Sequence, residues 1–393
     1  MASYDIIVLG AGVIGCSIAY HAARLGAKRV LILDRNGIAE GTTAQSSGIV
    51  RTHYSVRENV ELAQRSYPAF RDLSAYLEDP EASSGFNRCG YLAVAADDAR
   101  GAALRASLAQ QQAVGSDAGE IDAAQARDRL PLLDTSGLAV FGYEPDAGYA
   151  DPYLVTSGFA RAARRLGVEL RTGTPALSLM ARARRVTGVQ TAQGEIHSDT
   201  VIVAMNVWSA GLLAPLGVTV PLTAERHEVL ALQGPRPYLS NYPVFKDLAS
   251  PLMFYARSYG RSQLLASKGL GGTAVDPDER QADVPLDLVA ELGEQVACRL
   301  PSFAESGLAS SWTGLYDVTP DWNPILGPTA GWSGLLNAFG FSGHGFKLSP
   351  MVGRLLAQAA LGLPTDLALA PYRLERFAQG QPMTGRYGPG AVS

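Results

Sequence analysis

The chain is 393 residues long, 47% hydrophobic and 18% charged, with a formal net charge of -4. That much apolar material supports roughly two packed domains and excludes a disordered chain, and the slightly acidic balance argues against a nucleic-acid partner, which needs concentrated basic surface. Cys16, Cys89 and Cys298 are far apart and form no CxxC pair, and the histidines show no ligand spacing, so neither a disulfide framework nor a metal site is expected.

The N-terminus lacks the pattern of a secretory leader, and no run of about 18 apolar residues occurs, so a cytoplasmic protein without a membrane span is expected. Tyr4 to Leu9 is an apolar, β-branched run that predicts a buried parallel strand. It ends in Gly10-Ala11-Gly12-Val13-Ile14-Gly15, and Val13 to Leu25 predicts a helix with Ile14, Ile18, Ala22 and Leu25 on one stripe. A second apolar run, Arg29 to Leu33, ends in Asp34. Gly10 suits a tight turn, Gly12 a close backbone approach to a pyrophosphate, and Gly15 close helix–strand packing. Asp34, about 20 residues past the last glycine, is placed to accept hydrogen bonds from ribose hydroxyls, which favours FAD or NAD over NADP.

Beyond Asp34 the strand–helix alternation of a nicotinamide dehydrogenase stops. Arg35 to Ser55 is instead small, polar and glycine-bearing, and its Thr42, Thr43, Ser46 and Ser47 hydroxyls suit a pyrophosphate and a flavin edge. An amphipathic helix is predicted over 151–167 and a strand over 168–171. A hairpin follows over 186–196, turning at Gln193-Gly194 beside a solvated Arg182 to Arg185 loop, and then a strand over 200–204. That late return to the nucleotide sheet points to FAD.

Leu335 to Phe339 predicts a strand, and Gly340, Gly343 and Gly345 lead into a helix with Leu348, Val352, Leu355 and Leu356 on its core stripe, Pro350 falling in its first turn. Lys347 at that helix start opposes the dipole and so needs another reason to be there.

Taken together, the residues resemble the D-amino-acid oxidase-like flavoproteins, especially sarcosine oxidases, glycine oxidase and dimethylglycine dehydrogenase. The resemblance covers nearly the whole chain. It rests on the N-terminal fingerprint, Ser46-Ser47-Gly48-Ile49-Val50-Arg51, Gly148-Tyr149-Ala150-Asp151-Pro152, and Val201-Ile202-Val203-Ala204 with Trp208. Its most specific part is Gly340-Phe341-Ser342-Gly343-His344-Gly345-Phe346-Lys347.

The resemblance implies an α/β fold: a Rossmann-like FAD-binding domain of glutathione-reductase type and an α+β substrate domain of mainly antiparallel sheet. The expected division gives residues 1–83, 145–222 and 312–393 to the first, and 84–144 and 223–311 to the second. FAD contacts are expected from Gly10, Gly12, Val13, Ile14, Gly15, Asp34 and Arg35; from Thr42, Thr43, Ser46, Ser47, Gly48 and Ile49; and from Gly314, Gly343, His344, Gly345, Phe346 and Lys347. Arg51 and Lys347 match the positions that hold a substrate carboxylate, Tyr316 matches a tyrosine near the flavin, and Tyr255, Arg257, His53 and Tyr54 are further pocket candidates.

The implied reaction is FAD-dependent oxidation of the C–N bond of a small amino acid or N-alkyl amino acid (sarcosine-like, glycine-like, cyclic or D-amino acid). A hydride passes to flavin N5, and the imine hydrolyses afterwards.

Three positions depart from the family pattern. Gly314 stands where monomeric sarcosine oxidase has the cysteine bonded to FAD, so non-covalent FAD is expected. The oxygen-promoting lysine has no clear match in Tyr259 to Lys268, which leaves the acceptor open between molecular oxygen and another species. Asn206 replaces a usual glycine, tolerable at positive φ. Two other readings stay open: a flavin-binding subunit that needs a partner chain, and an FAD-dependent 2-hydroxy-acid dehydrogenase or hydroxylase. Homo- and hetero-oligomers are both open as well.

Overall fold

A computed structural model of the chain describes residues 3–279 and 283–387. Among these, a six-stranded sheet runs in the order Ile325–Pro328, Leu335–Phe339, Val201–Val203, Ile6–Leu9, Val30–Leu33, Glu169–Arg171. Every pairing is parallel except that of Ile325–Pro328 with Leu335–Phe339. Its inner strands are buried on both faces, as their unbroken apolar sequence requires. Helices Val13–Arg24, Pro152–Arg165 and Gly345–Ala360 cover one face. The other packs against a four-stranded sheet that carries the Arg185–Thr191 and Gly194–Ser198 hairpin.

Two expectations change in detail. The run from Tyr4 to Leu9 is not one strand: Ser3–Tyr4 pairs with Gly194–Ser198 in the smaller sheet, and Ile6–Leu9 belongs to the larger. The break falls at Asp5, whose carboxylate accepts the backbone N–H groups of Lys28 (2.7 Å) and Arg29 (3.1 Å). Pro350 lies in the second turn of Gly345–Ala360, not the first. The ring removes the N–H that would reach the Phe346 carbonyl, and the Ser349 hydroxyl takes that carbonyl at 2.8 Å instead.

A second, nine-stranded and mainly antiparallel sheet stands over the C-terminal ends of the parallel strands. Its core strands are Thr223–Gln233, Gln263–Ser267, Tyr255–Tyr259, Val244–Asp247, Tyr91–Ala95 and Val140–Glu144, and Gly307–Val318 pairs with Thr223–Gln233 along their length. Alternation divides its faces. Leu92, Val94, Phe245 and Leu264 pack toward Leu292, Val296 and Leu300 at helix Leu286–Arg299, whereas Tyr91, Lys246 and Tyr255 turn toward the parallel-sheet half. The fold is mixed α/β, and a cleft separates its two large sheets.

Candidate active site

Where Ile6–Leu9 ends, the chain turns through Gly10 at φ +109° and enters helix Val13–Arg24. A Cβ on Gly10 would strike the Ala204 carbonyl, and one on Gly15 the Gly10 carbonyl. The two glycines therefore let strand, loop and helix close on one another, as their spacing suggested. Gly12 caps the helix in extended conformation with no side-chain bond, no acid occupies the first turn, and the Val13 N–H reaches only the Thr43 hydroxyl, at 3.2 Å. That helix end offers donors and positive potential to an anion. Asp34, at the tip of the neighbouring strand, accepts from the Ala11 (2.6 Å) and Asn36 (2.7 Å) N–H groups. Each carboxylate oxygen keeps lone pairs for a further donor.

Two joined cavities run from this point. One, of about 1120 Å3, is lined by Gly10, Gly12, Asp34, Arg35, Thr42 and Trp208 among others. Arg35 lies 4.1 Å over the Trp208 ring and pairs with Asp278 at 3.2 Å, closing the outer end. The other, of about 960 Å3, shares Thr42, Thr43 and Asn206 with the first and continues past Val13, Ile14, Ser46, Ser47 and Ile49 to Gly314, Gly343, Gly345 and Phe346. Asn206 has φ +50°, the left-handed backbone expected of it. A Cβ on Gly343 would enter the Tyr316 ring, so this glycine lets the loop lie against the tyrosine. The clash-bound glycines, the open helix end and the shared lining of the two cavities fit an extended dinucleotide, with its sugar at Asp34 and its far end beside Gly343–Phe346.

Three predicted contacts, Gly15, Gly48 and His344, are not brought to the cavity, and Gly15 packs against the Gly10 carbonyl. Gly48 packs against the Ala150 carbonyl and shapes the Thr42–Ile49 segment from behind. The His344 ring is buried against Tyr54, 5.2 Å between centroids, and its backbone N–H is taken by the Phe341 carbonyl at 2.8 Å. Burial, with the Lys347, Arg51 and Lys246 charges nearby, drives the His344 imidazolium well below its ordinary range.

At the inner end stand Arg51, 5% exposed, and Lys347, 6% exposed, both lining the cavity. Arg51 follows strand Ile49–Val50 and lies 4.8 Å over the Tyr54 ring and 5.5 Å over Tyr91. Its Nη1 atom has no hydrogen-bond partner among the described residues. Lys347 projects from the first turn of Gly345–Ala360, and burial, then the Arg51 charge, pushes its ammonium well below the usual lysine range. Two uncompensated cations facing one cavity make a receptor for an anion. Tyr255 and Tyr316 form part of the wall, and Tyr316 is stacked on His227 at 3.8 Å. Of the remaining candidates, Arg257 donates to the Ser47 carbonyl at 2.7 Å, and His53 sits behind the cavity against Gln111 and Tyr387. Lys268 is committed to Glu228 at 3.0 Å, away from the cavity.

Sequence reasoning missed Tyr91, Lys246, Asp317 and Phe341 on the wall and Glu144 behind it. Burial pushes the Lys246 ammonium down to about 7 and the Glu144 carboxyl up to about 7. Glu144 takes the Thr52 N–H (2.7 Å) and hydroxyl (2.8 Å) on one oxygen, next to Arg51. Phe341 stands in the Gly340–Lys347 run without having been singled out, and the other four belong to no motif. Polar residues within otherwise apolar strands were the one available signal.

Comparison with known proteins agrees with this geometry. A family model described as FAD dependent oxidoreductase (DAO) matches residues 5–359. The chain is 29% identical over 394 residues to 4-methylaminobutanoate oxidase (formaldehyde-forming) of Paenarthrobacter nicotinovorans, covering 95% of this chain and 46% of that protein. Against N-methyl-L-tryptophan oxidase of Citrobacter koseri it is 28% identical over 386 residues, covering 96% of this chain and 100% of that one. Among solved structures, L-proline dehydrogenase from P. horikoshii superposes with a TM-score of 0.88 at 24% identity, covering 97% of this chain and 99% of that one. The chain belongs to the DAO family of FAD-dependent oxidoreductases, and FAD is its cofactor.

Proposed function

We propose that this protein oxidises the C–N bond of a small amine bearing a carboxylate, an amino acid or N-alkyl amino acid, to an imine that hydrolyses on release. The observation that carries the reading is the pairing of Arg51 and Lys347, both buried and both turned into one cavity beside the end of the dinucleotide cleft. Two relatives named for N-methylated amino acids support it. When bound, FAD supplies the two-electron acceptor.

The chain's own residues position the substrate. Arg51 presents a planar fork to the carboxylate and Lys347 a point charge, each gaining the partner its burial lacks. Tyr91, Tyr255, Tyr316 and Phe341 wall the cavity and exclude water, which strengthens that charge pairing. Holding the carboxylate at one end fixes the amine and its neighbouring carbon at the other, so the gain is orientation.

We further propose that FAD is held without a covalent bond. No cysteine or histidine lines either cavity among the described residues, and Gly314 offers no side chain. Acid precipitation should release the yellow colour to the supernatant; a yellow pellet would contradict this.

The clamp is tested by anaerobic mixing with a panel of N-methyl, cyclic and D-amino acids and 2-hydroxy acids, followed by flavin bleaching. Removing one partner of a buried charge pair costs about 2–5 kcal/mol. Arg51→Ala should therefore raise the amine concentration for half-maximal bleaching by at least about 30-fold. If the variant bleached as readily as the parent, Arg51 would not hold the carboxylate. Bleaching of the purified chain by itself also separates this reading from one that needs a partner subunit.

A further inference from the structure

Three basic side chains, Arg51, Lys347 and Lys246, line the inner cavity, where a single carboxylate clamp accounts for two. Lys246 enters from strand Val244–Asp247 of the antiparallel sheet and is 3% exposed. Strand pleat sets it on the same sheet face as Tyr91, and register places it directly across from Tyr255. Its Nζ atom donates to the Met253 carbonyl at 2.7 Å, the single hydrogen bond it makes among the described residues.

An ammonium carries three donors, and leaving two unmet in a buried wall is costly. The neighbouring carboxylates are engaged elsewhere. Asp247 points to the other sheet face and pairs with Arg299 at 2.9 Å. Asp317, the one carboxylate among the lining residues, receives the Gly340 N–H. Glu144 spends one oxygen on Thr52 and lies outside the lining. The cavity thus brings together three basic side chains, and Lys246 has no carboxylate partner of its own among the described residues.

Resting on the Arg51–Lys347 clamp read above, we propose that Lys246 receives a second carboxylate in the substrate's side chain, so that the preferred substrate is an amino dicarboxylic acid. A ligand anchored at Arg51 and Lys347 would lie beside Tyr91 and Tyr255, and its second carboxylate would hold Lys246 in its protonated form. Tyrosine faces suit its methylene stem and the two poles its carboxylates.

The test is titration of the FAD-loaded protein with unreactive acids of matched length, butyrate against succinate and valerate against glutarate, followed by flavin absorbance. One charge-assisted hydrogen bond is worth about tenfold in affinity. The better-fitting diacid should therefore bind at least about tenfold tighter than its matched monoacid. That ratio should fall to about one in Lys246→Met and stay above one in Lys246→Arg, which keeps the charge. Equal affinities for diacid and monoacid in the parent protein overturn the proposal, and so does a ratio unchanged in Lys246→Met. Should the variant fail to retain FAD, the parent ratio decides. None of these acids is oxidised, so the result is independent of whether amines bleach the flavin: no bleaching with any amine fails the reading of the reaction, and a ratio of one fails the second anion site.

Discussion

A lysine placed as Lys246 is carries a signature in the stability of the protein. Burial first, and the Arg51 charge second, lower its titration in the folded chain from 10.5 to about 7. Above the unfolded value both states are neutral and the contribution is fully present. As pH falls toward about 7 the unfolded chain takes up a proton that the folded one refuses, and that stability is lost. Lys246→Met has no proton to take up. Its melting temperature should exceed the parent's by a margin that widens between about pH 9.5 and pH 7, corresponding to on the order of 3 kcal/mol. Parallel melting curves across that range would show that the amine is not desolvated in the fold. The same residue marks where sequence reading ends. Arg51 and Lys347 stand in recognisable runs, and Asn206 could be assigned positive φ because it stands where the resembling family usually has glycine and its side chain tolerates that backbone. Lys246 sits in Val-Phe-Lys-Asp, an ordinary strand whose pleat, fixed only by its neighbours, decides which of the two charged residues faces the cavity.

Elements were legible where their signals are local. Helix Val13–Arg24 was expected to end at Leu25 and ends one residue earlier; helix Pro152–Arg165 lies inside the expected 151–167, with Asp151 as its cap. Val30–Leu33, Val201–Val203 and Leu335–Phe339 read correctly because continuous apolar runs leave few other structures, whereas the run from Tyr4 to Leu9 divides between two sheets. Helix Gly345–Ala360 was expected too, but not the repair it requires. With Pro350 in its second turn, the Ser349 hydroxyl takes the Phe346 carbonyl, and Ser66, from helix Arg57–Arg71, accepts the Met351 N–H at 3.1 Å and donates to the Leu348 carbonyl at 3.2 Å. Ser349→Ala leaves the buried Phe346 carbonyl, in the peptide bond to Lys347, without a donor. It should cost about 1–3 kcal/mol, read as a lower melting temperature. A melting temperature equal to the parent's would mean that water or a backbone shift serves that carbonyl equally well. The antiparallel strands between residues 84 and 311 were harder to place, since their alternation is interrupted by buried polar residues such as Glu144, Lys246 and Ser258.

At the scale of the whole molecule, the site exists because two sheets face each other. The parallel sheet brings the glycine turn, Asp34 and the Gly340–Lys347 segment to one end, while the antiparallel sheet lowers Tyr91, Lys246, Tyr255 and Tyr316 onto it. Arg257 ties the two together through the Ser47 carbonyl. The expected division into a nucleotide domain and a substrate domain is carried forward as a proposal, with Gly307–Val318 running from the antiparallel sheet down to the cavity wall. From sequence alone came the nucleotide cleft and its cofactor, the proposed clamp of Arg51 and Lys347, and the family. A strand, a glycine turn, a helix start and an acid within about 30 residues constrain one another through local geometry. Tertiary structure alone decided the antiparallel-sheet wall, the third basic side chain in the cavity and the withdrawal of His344 from it. Those depend on the register and facing of strands far apart in the chain, and no short stretch of residues encodes which of its two faces another sheet will meet.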